Sequence, residues 1–320
     1  PGGLLVTAPT TAGPPQPGHP TPGHPTASIT SADGLELALW HLGGDGPPLL
    51  LAHATGFAGG IWQPVAAHLT DRASCWAVDF RGHGHSPAKP DDMVWTRVAE
   101  DAIAAAEYIV EATGVPLGAA GHSMGGAAVL AATARRPELF TSIWAYEPII
   151  FPPIEEFGLP EGTDLPDPED NPLAVGALRR RSTFDDRVTA RTNFSTKAPL
   201  NVFSAAAMEA YLTWGFGPAD AGSEAPDGAI SLRCAPEVES RTYVEGSRHS
   251  FWNEVPSIDR PVTVALGRVE AFTPSGFAGH IADHIPGAEH ETHPHLAHLG
   301  PMQVPDGLAA VIAAAAWASG

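Results

Sequence analysis

The stretch Val115-Pro116-Leu117-Gly118-Ala119-Ala120-Gly121-His122-Ser123-Met124-Gly125-Gly126 decides how the rest of the chain is read. Residues 115–120 are small and apolar and suit a buried strand, while Ala127 to Arg135 favours helix until Pro137 stops it. Between them lies Gly121-His122-Ser123-Met124-Gly125. A strand that turns directly into a helix crowds its own backbone, and only residues without a Cβ fit on both sides of the serine. Ser123 is therefore expected at a sharp strand-to-helix turn, pushed out at the top of a sheet as a nucleophile. In a chain with 34 glycines the pentapeptide alone also fits a glycine-rich loop. The flanking strand, the flanking helix and Gly126 favour the turn.

The 320 residues, 43% of them hydrophobic, suffice for one large α/β domain with an insertion or for two small domains. The formal charge is −19, from 36 acidic against 17 basic residues, and Lys89 and Lys197 are the only lysines. No basic stripe exists to displace phosphate counterions, so nucleic acid is not an expected partner, and neutral or cationic substrates are mildly favoured. The longest apolar stretch, Leu308 to Trp317, is too short to span a bilayer and reads as a terminal helix. No membrane association is expected. The chain reads as cytoplasmic, with secretion left open because its first residue is proline. Cys75 and Cys234 show no metal-ligand spacing, and Cys75, in Cys75-Trp76-Ala77-Val78, reads as a buried strand position.

Residues 1–27 are rich in Pro, Gly, Thr and Ala, with Pro-Gly-His-Pro-Thr at 17–21 and again at 22–26, and read as a poorly ordered tail. His19 and His24 lack the carboxylate or cysteine company that a metal needs. From Ser28 to about residue 150, strands and helices alternate. A hairpin turning at Ala32-Asp33-Gly34 leads into strands at 48–53, 74–80, 115–120 and 141–147, with helices near 61–69, 94–113 and 127–135. That alternation predicts a mostly parallel sheet covered on both faces. Residues 151–258 break the rhythm. A proline-rich stretch carrying seven acids from Glu155 to Asp170 precedes helical patterns at 172–196, 204–214 (with Ser204 as N-cap) and 235–248. This segment is expected to be a helical cap inserted into the core, which resumes over 259–320.

Four segments resemble the α/β-hydrolase fold family over nearly the whole of 29–318. They are Leu50-Leu51-Ala52-His53-Ala54-Thr55-Gly56-Phe57, Asp79-Phe80-Arg81-Gly82-His83-Gly84-His85-Ser86, the pentapeptide around Ser123, and Ala297-His298-Leu299-Gly300-Pro301-Met302. The chain is most similar to capped, single-domain members of the esterase and carbon-carbon-bond-hydrolase type. The resemblance implies an α/β-hydrolase fold and a serine hydrolase that cleaves a carboxylic ester, lactone or related acyl bond. Hydrolytic carbon-carbon cleavage and a non-catalytic ligand-binding member are the alternatives. A small ester-like molecule is the expected partner, with no cofactor and no metal.

A serine hydroxyl needs an imidazole to take its proton during attack. The resemblance places that base on the loop before the final helix, where His298 stands, with His293 and His295 as alternatives. The acid that orients the imidazole has two candidates. Glu270, in the turn after the next-to-last strand, occupies the position where most of the family carries aspartate and is placed first. Glu147, at the end of the strand after the Ser123 helix, is the second. For the oxyanion, the backbone N–H groups of Met124 and of Thr55 (or Ala54) are the expected donors. His53 is expected to brace its loop, and His83 and His85 to tie the turn beneath the site. The aromatics Phe184, Phe194, Phe203, Tyr211, Trp214, Phe216, Phe251 and Trp252 are expected mostly to pack the cap onto the core.

Overall fold

The computed structural model describes residues 24–153, 155, 167–219, 225–270 and 273–316. The expected tail is outside them up to residue 23, as is most of the acidic stretch. Strand β1 (Ala27–Thr30) and β2 (Glu36–Gly43) form the hairpin, and β3 (Pro48–Ala52) follows. A short helix α1 (Gln63–Ala66) precedes β4 (Ser74–Val78), α2 (Trp95–Thr113), β5 (Leu117–His122), α3 (Met124–Arg135) and β6 (Phe140–Tyr146). Next come α4 (Pro172–Leu178), β7 (Thr183–Phe184), α5 (Arg187–Ser195), α6 (Ala205–Trp214), β8 (Phe216–Pro218), β9 (Ile230–Leu232) and α7 (Pro236–Gly246). The chain closes with β10 (Val262–Leu266), α8 (Pro274–His284), β11 (Glu289–Thr292), α9 (Gly300–Gln303) and α10 (Pro305–Ala316). No helix of the described residues is long and apolar enough to cross a membrane.

Eight strands form one sheet in the order β1-β2-β4-β3-β5-β6-β10-β11, antiparallel at β1-β2 and β2-β4 and parallel from β4 onward. Strands β3, β4 and β5 are buried at every residue, as expected of parallel strands with helices on both faces. Their side chains alternate between two cores. Leu50, Ala52, Trp76 and Val78 face one core with α2 and α3, whereas Leu49, Leu51, Cys75 and Ala77 face the other with Leu308 and Ile312 of α10. Cys75 and Cys234 are both buried free thiols, and burial pushes the Cys75 thiol up to about 12.

The described residues between β6 and β10 carry helices α4 to α7, and the Ser204 side chain caps α6 by accepting from the Ala207 N–H at 3.1 Å. The same segment also contains a three-stranded antiparallel sheet, β7-β9-β8, of which β7 falls inside the helical reading of 172–196 and β8 and β9 between the later helical patterns. Strands of two or three residues are too short for the period-2 alternation that betrays a strand.

The parallel register brings four strand ends together. Ala52 pairs with Gly121, His122 with Tyr146, and Tyr146 with Ala265. The residues that follow, 53–56, 123, 147 and 267, therefore emerge side by side at the carboxyl edge of the sheet, where open α/β sheets hold their sites.

Candidate active site

Ser123 lies between β5 and α3 with φ of 55°, a strained backbone for a residue with a Cβ. Its N–H donates to the Tyr146 carbonyl at 2.9 Å, and its own carbonyl accepts from the Ala127 N–H at 3.0 Å. The glycines supply room. A Cβ on Gly121 would lie 2.6 Å from the Gly125 carbonyl oxygen, and one on Gly125 would lie 2.3 Å from that of Ala52. Ser123 thus carries the strain while its neighbours permit the crowding.

His298 reaches Ser123 from the loop between β11 and α9. Its Nε2 is 3.2 Å from Ser123 Oγ, and its Nδ1 is 2.7 Å from Glu147 Oε2. A carboxylate on Nδ1 requires the proton there, which leaves Nε2 free to accept from the serine hydroxyl. Glu147 is 1% exposed and sits at φ of 42° immediately after β6. Its second oxygen accepts from the Gly267 N–H at 2.8 Å, so both carboxylate oxygens are satisfied in the interior. The other two candidate histidines are elsewhere: His293 Nε2 pairs with Glu291, and His295 is exposed.

Glu270 is not in this group, which corrects the order in which the two acids were placed. Its carboxylate points to solvent at 50% exposure and takes a 2.8 Å hydrogen bond from Arg268 Nε. The turn after β10 contributes the Gly267 N–H to the site instead of a side chain, and the acid comes from the neighbouring strand. The longer reach of glutamate from β6 fills the place that the resemblance assigned to the β10 turn.

Three groups that position this constellation escaped the sequence reading. His122, fully buried, has Nε2 2.7 Å from the His298 carbonyl oxygen and so donates to it. The Tyr146 hydroxyl donates to the neighbouring Ala297 carbonyl at 2.8 Å. Together with Gly267 they fix the His298 loop and Glu147 from the ends of β5, β6 and β10. The one signal in the sequence was the presence of His122 inside the pentapeptide itself.

On the opposite flank, Thr55 Oγ1 is 3.7 Å from Met124 Sδ, so the loop after β3 lies against the residue that follows Ser123. Met124 is the first residue of α3, where no carbonyl of the helix accepts the backbone N–H. His53 accepts the Phe80 N–H on Nε2 at 3.1 Å and donates from Nδ1 to the Ala54 carbonyl at 2.8 Å. His83 accepts the Gly56 N–H on Nε2 at 3.0 Å and donates from Nδ1 to the Arg81 carbonyl at 2.9 Å. Both rings spend both nitrogens on backbone and staple the 53–56 loop to the turn below. Asp79 anchors that turn, accepting from the Gly59 N–H at 2.6 Å, the His85 N–H at 2.8 Å and Trp40 Nε1 at 3.0 Å. A cleft of about 430 Å³ lies beside the same turn, lined in part by His85 and Arg233, and Ser123 is not in its wall.

Burial holds these rings neutral. It pushes His53 down to about 3 and His83 to about 4, and it does the same to His249, also about 4, which is packed between Trp95 and Phe251. The unfolded chain takes up protons on these rings below about pH 6.5 while the folded chain does not, so stability falls as pH falls. Between about pH 6.5 and 5.5 each ring is expected to cost about 1 kcal/mol of stability. Urea midpoints at pH 7.5, 6.5 and 5.5 measure this, and a flat profile would contradict neutral buried rings.

A mostly parallel sheet, a serine at a strained strand-to-helix turn and a histidine reaching it from a late loop define a doubly wound α/β scaffold of the hydrolase class. The chain belongs to the alpha/beta hydrolase fold family, whose model matches residues 47–299. It is 35% identical over 100 residues to a pimeloyl-[acyl-carrier protein] methyl ester esterase of Methylococcus capsulatus, a match covering 31% of this chain and 36% of that relative. It is also 35% identical over 88 residues to human protein phosphatase methylesterase 1, covering 27% of this chain and 23% of that one. These matches span about a third or less of the relatives' length. The structure of E-2-(acetamidomethylene)succinate hydrolase superposes with a TM-score of 0.73 at 19% identity, over 90% of this chain and 98% of that one.

Proposed function

We propose that the chain is a serine hydrolase that cleaves a carboxylic ester or related acyl bond through an acyl-enzyme. The observation that carries this reading is the contact chain from Ser123 Oγ to His298 Nε2 at 3.2 Å and from His298 Nδ1 to Glu147 at 2.7 Å. As Ser123 Oγ bonds to the substrate carbonyl carbon, its proton passes to His298 Nε2 and Glu147 stabilises the imidazolium. The carbonyl oxygen becomes an oxyanion facing the N–H groups of Met124 and Thr55, each worth roughly 10²- to 10³-fold in rate. Collapse expels the alcohol, which takes the proton from His298, and water then repeats the sequence to release the acid. The elements between β6 and β10 act as a cap over this site. Two relatives named as methyl ester esterases support an ester over other acyl bonds.

The test is a fluorophosphonate probe, which phosphonylates an activated serine hydroxyl. Mass spectrometry is expected to find the adduct on the peptide bearing Ser123, with none in a His298→Ala variant. A protein left unlabelled by the probe would overturn the proposal.

A further inference from the structure

One buried polar cluster takes no part in the steps above. Arg180, just after α4, donates from Nη1 to Glu239 Oε2 at 2.6 Å and from Nη2 to the Tyr211 hydroxyl, and its guanidinium lies 5.4 Å from the centre of the Phe194 ring. Tyr243 stands one turn beyond Glu239 on α7 and therefore on the same face. The cluster rests on Gly56: a Cβ there would be 2.9 Å from Glu239 Oε1 and 3.4 Å from Arg180 Nη1. Gly56 follows Thr55, whose hydroxyl reaches Met124. At the other end of α7, His249 Nε2 donates to the Ile149 carbonyl at 2.9 Å, and the Ile149 N–H donates to the Ser123 carbonyl at 3.3 Å. Helix α7 and the residues after it thus touch the chain on both flanks of Ser123, Glu239 at the Gly56 loop and His249 at Ile149.

The cluster holds more donors than acceptors. A guanidinium carries five N–H donors, and Glu239 and the Tyr211 oxygen account for two of those contacts. Because Tyr211 accepts from Arg180, its own O–H remains to be given. Burial, chiefly, raises both Tyr211 and Tyr243 above the ordinary phenol range, so each stays a protonated donor. An excess of donors beside a fixed cation suits an acceptor-rich anion.

We infer that Arg180, with Tyr211 and Tyr243, forms a substrate subsite for a carboxylate carried by the ester a few bonds from its scissile carbonyl. The inference rests on the proposed role of Ser123 for the position of that carbonyl. It narrows the substrate to half-esters of dicarboxylic acids and related carboxylate-bearing esters. It also departs from the preference for neutral or cationic substrates that the charge of −19 suggests. The protein-wide charge slows the approach of an anion, whereas the guanidinium acts at contact distance in a dry site. Glu239 neutralises Arg180 in the empty site and fixes its plane, so that a bound carboxylate meets an oriented fork.

The test compares monomethyl succinate, glutarate and adipate with their monoamide isosteres, such as methyl 4-carbamoylbutanoate. The wild-type protein is expected to prefer at least one acid over its amide by tenfold or more in kcat/KM. That preference ratio is expected to collapse toward 1 in Arg180→Gln/Glu239→Gln, which removes both charges and leaves no buried ion unpaired. Calorimetric binding of the free dicarboxylates to Ser123→Ala reads the subsite without turnover. Binding there is expected to weaken tenfold or more when Arg180 and Glu239 are also changed. If no ester is hydrolysed but the dicarboxylates bind and depend on Arg180, the serine reading fails and the subsite stands. Equal use of acid and amide at all three lengths, or no dicarboxylate binding to Ser123→Ala, would overturn the subsite and leave the pair as a purely structural tie between α4 and α7.

Discussion

Ser123→Ala is expected to lower kcat on a short activated ester by about 10⁵- to 10⁶-fold, the loss that follows when the nucleophile of a serine–histidine pair is removed. The residual rate, roughly 10³- to 10⁴-fold over water, would come from the oxyanion donors and substrate binding. The substitution is a clean one for this fold. Alanine keeps the Cβ that serine already places at φ of 55°, so it adds no new backbone strain. The hydroxyl is the only group lost, and the backbone bonds of residue 123 to Tyr146 and Ala127 are untouched. Thermal unfolding should accordingly stay close to that of the wild-type protein. Turnover above about one part in a hundred in a folded Ser123→Ala variant would mean that another nucleophile serves.

What the sequence reveals of this site divides along a physical line. Ser123 and its glycines are local: a strand, a strained turn and a helix occupy consecutive residues, and the steric demand is written in the pentapeptide. His298 is nearly as accessible to reading, because its loop lies between recognisable elements. The fold follows from the alternation of strands buried on both faces with helices, which is a property of each segment taken alone. The acid is different in kind. Whether residue 147 or residue 270 meets the imidazole depends on the register between β6 and β10 and on the path of a loop arriving from β11. It also depends on the positive φ of Glu147. None of these is a property of either glutamate's sequence neighbours. The hydrogen bonds from His122 and Tyr146 to successive carbonyls of the His298 loop join residues about 150 to 180 apart and were hidden for the same reason. The small sheet β7-β9-β8 was missed because of length, not distance.

That distinction makes the comparison of the two acids the sharpest test of the site. Glu147→Gln is expected to lower kcat by about 10⁴-fold, while Glu270→Gln stays within about threefold of the wild-type protein. The amide of a glutamine at 147 can still accept the Gly267 N–H through its oxygen, so the buried position keeps its backbone bond. Its nitrogen would then face His298 Nδ1 as a donor, forcing the ring proton to Nε2, where it can no longer accept from Ser123. At 270 the same change removes one end of an ion pair whose partners are 65% and 50% exposed, and such pairs are worth little. The pH profile separates the mechanism further. Without an anion at Nδ1 the imidazolium loses its stabilisation, so the activity that remains in Glu147→Gln should rest on the fraction of rings in the productive tautomer. A large loss at 270 with little change at 147 would return the acid to the β10 turn. Mild and equal losses at both would show that neither carboxylate orients His298 during turnover.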